Sequence, residues 1–131
     1  MMVTNDRSIL ERLSTTEQGF PRVLSISDEP PQTRILLDAS SELCWFRGHF
    51  PGQPVLPGIV QLHWAILVSR VLYSFESVPL EIKRLKFKKV IVPPRTLELV
   101  VSQKGEQEVL FSYSSLGDRN SEGQIVFSDQ K

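Results

Sequence analysis

The segment Ile59–Phe75 constrains this chain more than any other. Read as a helix, it is apolar on nearly all sides, since Ile59, Val60, Leu62, Trp64, Ala65, Ile66, Leu67, Val68, Val71 and Leu72 together run round it. A helix without a polar face must be enclosed by other structure. It is short for a membrane span, and Gln61, His63 and Arg70 interrupt it. The pattern therefore predicts a helix buried inside the protein, and the remaining residues have to build the enclosure.

Those residues read as β-structure. Runs at Arg22–Ser27 and Thr33–Asp38 flank the turn-rich Asp28–Gln32, and Glu42–Phe46 follows with two aromatic residues. Beyond the helix come Leu80–Val92, Thr96–Gln103, Glu108–Ser115 and Gln124–Ser128, separated by VPPR, KGEQ and LGDRN breaks. One long central helix with about six or seven strands, mostly antiparallel, gives an α+β domain. A curved antiparallel sheet wrapped around that helix is the hotdog fold. Such a sheet leaves an edge and a flank of the helix uncovered, so a homodimer is expected. Residues 1–19 read as a polar lead-in and residues 20–131 as the single domain.

Charge narrows the partners. Lys plus Arg total 15, as do Asp plus Glu, so the formal net charge is zero. A nucleic-acid binder would carry a basic excess, and nothing in this balance draws the chain wholesale to a membrane. Cys44 is the single cysteine. That excludes an intramolecular disulfide and argues against a cysteine-built zinc site. The N-terminal residues lack the apolar core of a signal peptide, so a cytoplasmic protein is expected.

Chemistry concentrates in Gly48–Gly58, GHFPGQPVLPG. Three prolines and three glycines among its eleven residues rule out regular structure and restrict the loop's shape. His49 lies in this loop, and a histidine titrates near neutral pH and serves as a general base. Pro57 and Gly58 open the helix. Its first amides lack internal partners and, with the helix dipole, favour negative charge. A thioester carbonyl placed there would be polarised, which eases removal of the neighbouring proton. A base beside an oxyanion site is what α,β-elimination from a 3-hydroxyacyl thioester needs.

The stretch Phe46–Gly58, FRGHFPGQPVLPG, closely resembles the active-site motif of the 3-hydroxyacyl-acyl-carrier-protein dehydratases of bacterial type II fatty acid synthesis. Leu85–Pro94, LKFKKVIVPP, resembles that family's strand after the helix. The phrase PGIVQLHWA is similar to a subgroup, the ApeI-like dehydratases of aryl-polyene biosynthesis. The resemblance implies a hotdog fold. It also implies reversible dehydration of 3-hydroxyacyl-ACP to trans-2-enoyl-ACP without metal, nucleotide or other cofactor. His49 is then the catalytic histidine, and the Gly58 amide binds the thioester carbonyl. The Val55 carbonyl orients the imidazole, and Phe50 and Pro57 complete the substrate-binding set. The implied partner is acyl carrier protein with its phosphopantetheine-linked acyl chain.

The family's second catalytic group is a helix carboxylate fourteen residues after the histidine, and here that position is His63, with Leu67 where glutamine is often found. His63 is read as a second catalytic residue, a neutral hydrogen-bond donor or water holder near His49 of the partner subunit. The plainer reading is a buried, hydrogen-bonded core histidine. Lys83, Arg84, Lys86, Lys88 and Lys89 crowd one strand, either as a solvated face or as a dock for the acidic carrier and its phosphate. Gln61 and Arg70 read as interface or surface groups and Cys44 as a small core residue. Trp45, Phe46 and Trp64 read as core or as walls of an acyl tunnel. Two other functions compete. One is an acyl thioesterase, since hotdog proteins also hydrolyse thioesters. The other is a non-catalytic carrier-binding scaffold that lost its acid at position 63.

Overall fold

The computed structural model describes residues 4–17, 19–46 and 54–128. Two short helices, α1 (Thr4–Glu11) and α2 (Leu13–Thr16), lead into strands β1 (Arg22–Glu29) and β2 (Gln32–Ala39). A single 3₁₀ turn at Cys44–Phe46 precedes the main helix α3 (Gly58–Tyr73). Strands β3 (Pro79–Phe87), β4 (Arg95–Lys104), β5 (Glu108–Ser115) and β6 (Asp118–Phe127) follow. The six strands form one antiparallel sheet in the order β1-β2-β4-β5-β6-β3. Hairpins join β1 to β2, β4 to β5 and β5 to β6. The last closes through Leu116 and Gly117, both at positive φ (52° and 82°), the backbone that matches the twist of adjoining strands.

One face of the sheet is the core. Alternation buries Ile35 and Leu37 on β2, Leu97 and Leu99 on β4, Val109 and Tyr113 on β5, and Ile125 and Phe127 on β6. Against them α3 lays Val60, Trp64, Ala65, Val68 and Leu72. Leu10 and Leu13 from the N-terminal helices are buried in the same core. Cross-strand register sets Ile35, Leu99, Tyr113 and Ser121 in one row over four strands. In the next row Gly123 faces Phe111, whose ring lies 2.8 Å from where a Cβ would stand, so this strand position has to stay bare.

Several expectations need correction. The main helix runs from Gly58 to Tyr73 rather than Ile59 to Phe75: Ser74 turns left-handed, and Arg70 donates to the carbonyls of Phe75 and Glu76. Nor is α3 enclosed on all sides. Ile59 (71% exposed) and His63 lie bare, and Ile66, Leu67 and Arg70 are only half-buried, because a single sheet layer covers one side of the helix. Strand β3 stops at Phe87 instead of reaching Val92. The amides of Lys88 and Lys89 both turn to the Asn120 carbonyl, which ends the ladder. Strand β6 starts at Asp118, so most of LGDRN is strand. Cys44 is half-buried rather than part of the core. No helix among the described residues is long and apolar enough to cross a membrane.

Candidate active site

The amino end of α3 is held by its neighbours. Pro57 occupies the cap position in an extended conformation, and its carbonyl accepts from the amides of Val60 (3.1 Å) and Gln61 (3.2 Å). The Leu56 amide donates to the Ile91 carbonyl at 2.8 Å, which ties the loop ahead of the helix to the segment after β3. Asn120 secures that segment. Its side-chain amide reaches the carbonyls of Lys89 and Val90, and its Oδ1 accepts from Ser115 at 2.7 Å.

Between the two segments opens a cavity of about 430 Å³, lined by residues 55–59 and Gln61 on one side and 87–90 on the other. Gly58 contributes the first helical amide, which has no acceptor within the helix. Phe87 leans on Gly58. A Cβ there would stand 2.6 Å from the ring's Cζ, so only glycine lets this ring approach the helix start. Ile59 also borders a second hollow, of about 390 Å³, lined by Trp45, Ile59, Val60, Leu62, His63 and Ile66. His63 is the one polar side chain on that apolar wall. Trp45 is fixed by donating from Nε1 to the Gly19 carbonyl at 2.7 Å.

Val55, Pro57, Gly58, Lys88 and Lys89 thus share one cavity, and His63 faces the adjoining hollow. His49 and Phe50 lie outside the described residues. His63 is exposed in the single chain, not the buried core residue of the plainer reading. Trp64 is buried in the core against Phe20, with ring centroids 5.9 Å apart.

The basic run is less uniform than its spacing suggests. Lys83 pairs with Glu108 (3.9 Å), Lys88 with Glu122 (3.3 Å) and Lys89 with Asp118 (2.9 Å). Arg84, at positive φ in a bulge of β3, faces a separate hollow on the outer sheet side with Arg119, and Lys86 is exposed. The Lys88 hydrogen bond, helped by Arg119, holds the Glu122 carboxyl below the usual carboxylate range. Exposed pairs of this kind contribute little and exchange partners readily.

Three functional neighbours escaped the sequence reading. Gln61, expected at an interface or surface, is 4% exposed. Its Nε2 donates to the Leu56 carbonyl (3.2 Å), and its Oε1 accepts from the Ser121 hydroxyl (2.7 Å). The Tyr113 hydroxyl donates to the Gln61 main-chain carbonyl at 2.7 Å. Strand alternation could have placed residues 113 and 121 on the inner face, but nothing local names their partner.

Residues 25–126 match the family described as ApeI-like, ApeI dehydratase. Among solved structures, the dehydratase heterocomplex ApeI:P from Xenorhabdus doucetiae superposes with a TM-score of 0.74 at 29% identity, covering 81% of this chain and 96% of that one. A protein from Erwinia carotovora subsp. atroseptica gives 0.72 at 33% identity, covering 82% and 95%. The 3-hydroxyacyl-acyl-carrier-protein dehydratase FabZ of Legionella pneumophila (strain Lens) is 32% identical over 73 residues, 48% of this chain and 49% of that protein. The chain thus spans about half the length of that curated relative.

Proposed function

Since this chain belongs to the ApeI-like dehydratase family, we propose that it dehydrates a 3-hydroxyacyl thioester on acyl carrier protein to the trans-2-enoyl thioester, in aryl-polyene or fatty acid synthesis. The observation that carries this reading is that Gly58, the first residue of α3, lines the cavity between the loop ahead of the helix and residues 87–90. The Gly58 amide donates a hydrogen bond to the thioester carbonyl and stabilises the charge that develops on its oxygen. His49, oriented by the Val55 carbonyl, removes the C2 proton. The electron pair forms the C2–C3 double bond, the C3–O bond breaks, and the hydroxyl departs as water with a proton passed on by the water that His63 holds, which the C2 proton carried by His49 then replaces. No metal or other cofactor takes part in this scheme.

The site is completed by a second copy of the chain. Support comes from the helix stripe of exposed Ile59 and His63 with half-buried Ile66, and from β3, an edge strand bonded among the described strands only to β6, with Leu80 exposed on it and Val78 and Val90 exposed beside it. In the homodimer His63 approaches His49 of the partner subunit and serves the leaving hydroxyl. The sheet curves over one side of α3 as in hotdog folds and the partner copy covers the other, residues 20–131 form the domain with the lead-in packed on it, and the protein works in the cytoplasm. Phe50 and Pro57 contact the acyl chain, and the basic residues from Lys83 to Lys89 receive the carrier. Pairing with a non-identical hotdog subunit is the second reading, favoured by the heteromeric assembly of the Xenorhabdus relative.

Incubation with 3-hydroxyacyl-ACP and, separately, with an acyl-CoA tests the function. An enoyl product that disappears in His49→Ala, with a loss of about 10²–10⁴ in rate, supports dehydration. Free thiol without enoyl product would indicate a thioesterase, and neither product a scaffold. Light scattering that shows a stable monomer at micromolar concentration would remove the homodimer.

A further inference from the structure

We propose that Gln61 is the positioning residue of this site, its buried side chain setting the direction in which the Gly58 amide points. The substrate in this inference rests on the dehydratase reading; the geometry does not. A buried primary amide is costly unless its donors and acceptors are used, and an apolar side chain would suit the surrounding core. Here, besides the amide hydrogen bond to Pro57 within the helix start, three further hydrogen bonds converge on one residue. Nε2 holds the Leu56 carbonyl (3.2 Å), Oε1 takes the Ser121 hydroxyl (2.7 Å), and the main-chain carbonyl takes the Tyr113 hydroxyl (2.7 Å). Tyr113 and Ser121 stand directly opposite each other on β5 and β6. The residue therefore joins the end of the loop, the first turn of the helix and the middle of the sheet.

Gly58 lies between the two clamped points, Leu56 and Gln61. Leu56 is also held from its other side, through its amide on the Ile91 carbonyl at 2.8 Å. The Gly58 amide shares its peptide plane with the Pro57 carbonyl, which accepts from the Val60 and Gln61 amides, so turning that plane breaks these bonds and pulls on the flanking ties at Leu56 and Gln61. Donors to a developing oxyanion act only within a few tenths of an ångström of their ideal distance. A displacement of about 1 Å costs on the order of 10² in rate. Since ground-state binding of the acyl chain does not depend on this alignment, the loss falls on kcat rather than KM.

Turnover of 3-hydroxyacyl-ACP by Gln61→Leu, Ser121→Ala and Gln61→Glu, each confirmed folded by circular dichroism, tests this. Gln61→Leu is expected to lower kcat by about 10–100-fold with KM changed less than about threefold. Ser121→Ala is expected to lower kcat by about 3–10-fold and to add little in the Gln61→Leu background, because both act through one network. Gln61→Glu should regain turnover relative to the parent as pH falls. Its neutral carboxylic acid offers the same donor and acceptor, and burial favours that form. A folded Gln61→Leu protein with kcat within about twofold of the parent overturns the proposal, as do losses confined to KM. If Gln61→Leu does not fold, Ser121→Ala decides alone by the same limits. If the parent itself forms no enoyl product, the dehydratase reading falls. The positioning claim is then judged by the Gly58 amide resonance: a shift and faster exchange in Ser121→Ala support it, and an unchanged resonance overturns it.

Discussion

Gly58→Ala separates packing from chemistry at one atom. The added methyl would stand 2.6, 2.7 and 3.0 Å from three carbons of the Phe87 ring. Carbon–carbon contacts settle near 3.5–4.0 Å, so the ring must withdraw by about 1 Å. It can do so: Phe87 ends an edge strand and is 52% exposed, so the ring has solvent to turn into. Full burial of a phenylalanine contributes about 1.5–3 kcal/mol, so a half-buried ring forfeits roughly 1 kcal/mol when it leaves. The lower conformational entropy of alanine offsets part of that. The net change is within about 1 kcal/mol, a shift in Tm of roughly 2–5 °C. Catalysis should suffer far more, since the methyl and the displaced ring crowd the amide that faces the thioester. A loss of about 10²–10³ in kcat, the usual effect of removing one oxyanion donor, is expected. Thermal melts by circular dichroism and enoyl-product turnover measure the two effects separately. A loss of stability above about 3 kcal/mol would show that the ring cannot yield. Turnover within about threefold of the parent would show that the amide is not the oxyanion donor.

Other perturbations reach different parts of the molecule. His63→Ala should reduce turnover strongly and His63→Glu should retain or raise it; equal turnover by His63→Ala and the parent would make position 63 a packing residue. Reversing charge with Lys86→Glu and Lys88→Glu should weaken use of carrier-bound substrate more than of a small thioester mimic, and equal effects on both would remove the docking surface from this strand. Burial pushes the Tyr113 hydroxyl well up, so the folded chain keeps its proton where the unfolded chain loses it, near pH ~10. This contribution is full below that pH and is lost as pH rises from there through the raised pKa of the folded chain. Tyr113→Phe should cost about 1 kcal/mol at neutral pH and flatten the alkaline fall in stability; an unchanged alkaline slope would refute this.

The residue pattern by itself determined the main helix, most of the strands and the faces those strands bury, though not the bare side of α3 or the 3₁₀ turn at Cys44–Phe46. All-round apolarity marked α3, and alternation marked β2, β4 and β5. These are local signals, since a period of 3.6 or 2 is written in neighbouring residues. The same periods name a face but not what lies across it. Only the tertiary structure set β3 beside β6 at the sheet edge and left His63 uncovered. It likewise brought Ser121 and Tyr113 to Gln61, 60 and 52 residues away along the chain. Gln61 shows the limit most clearly. On an apolar helix a lone amide looks like a surface residue. Its burial depends on hydroxyls delivered by two strands far along the chain, and those hydroxyls make an amide tolerable in a core that would otherwise exclude it.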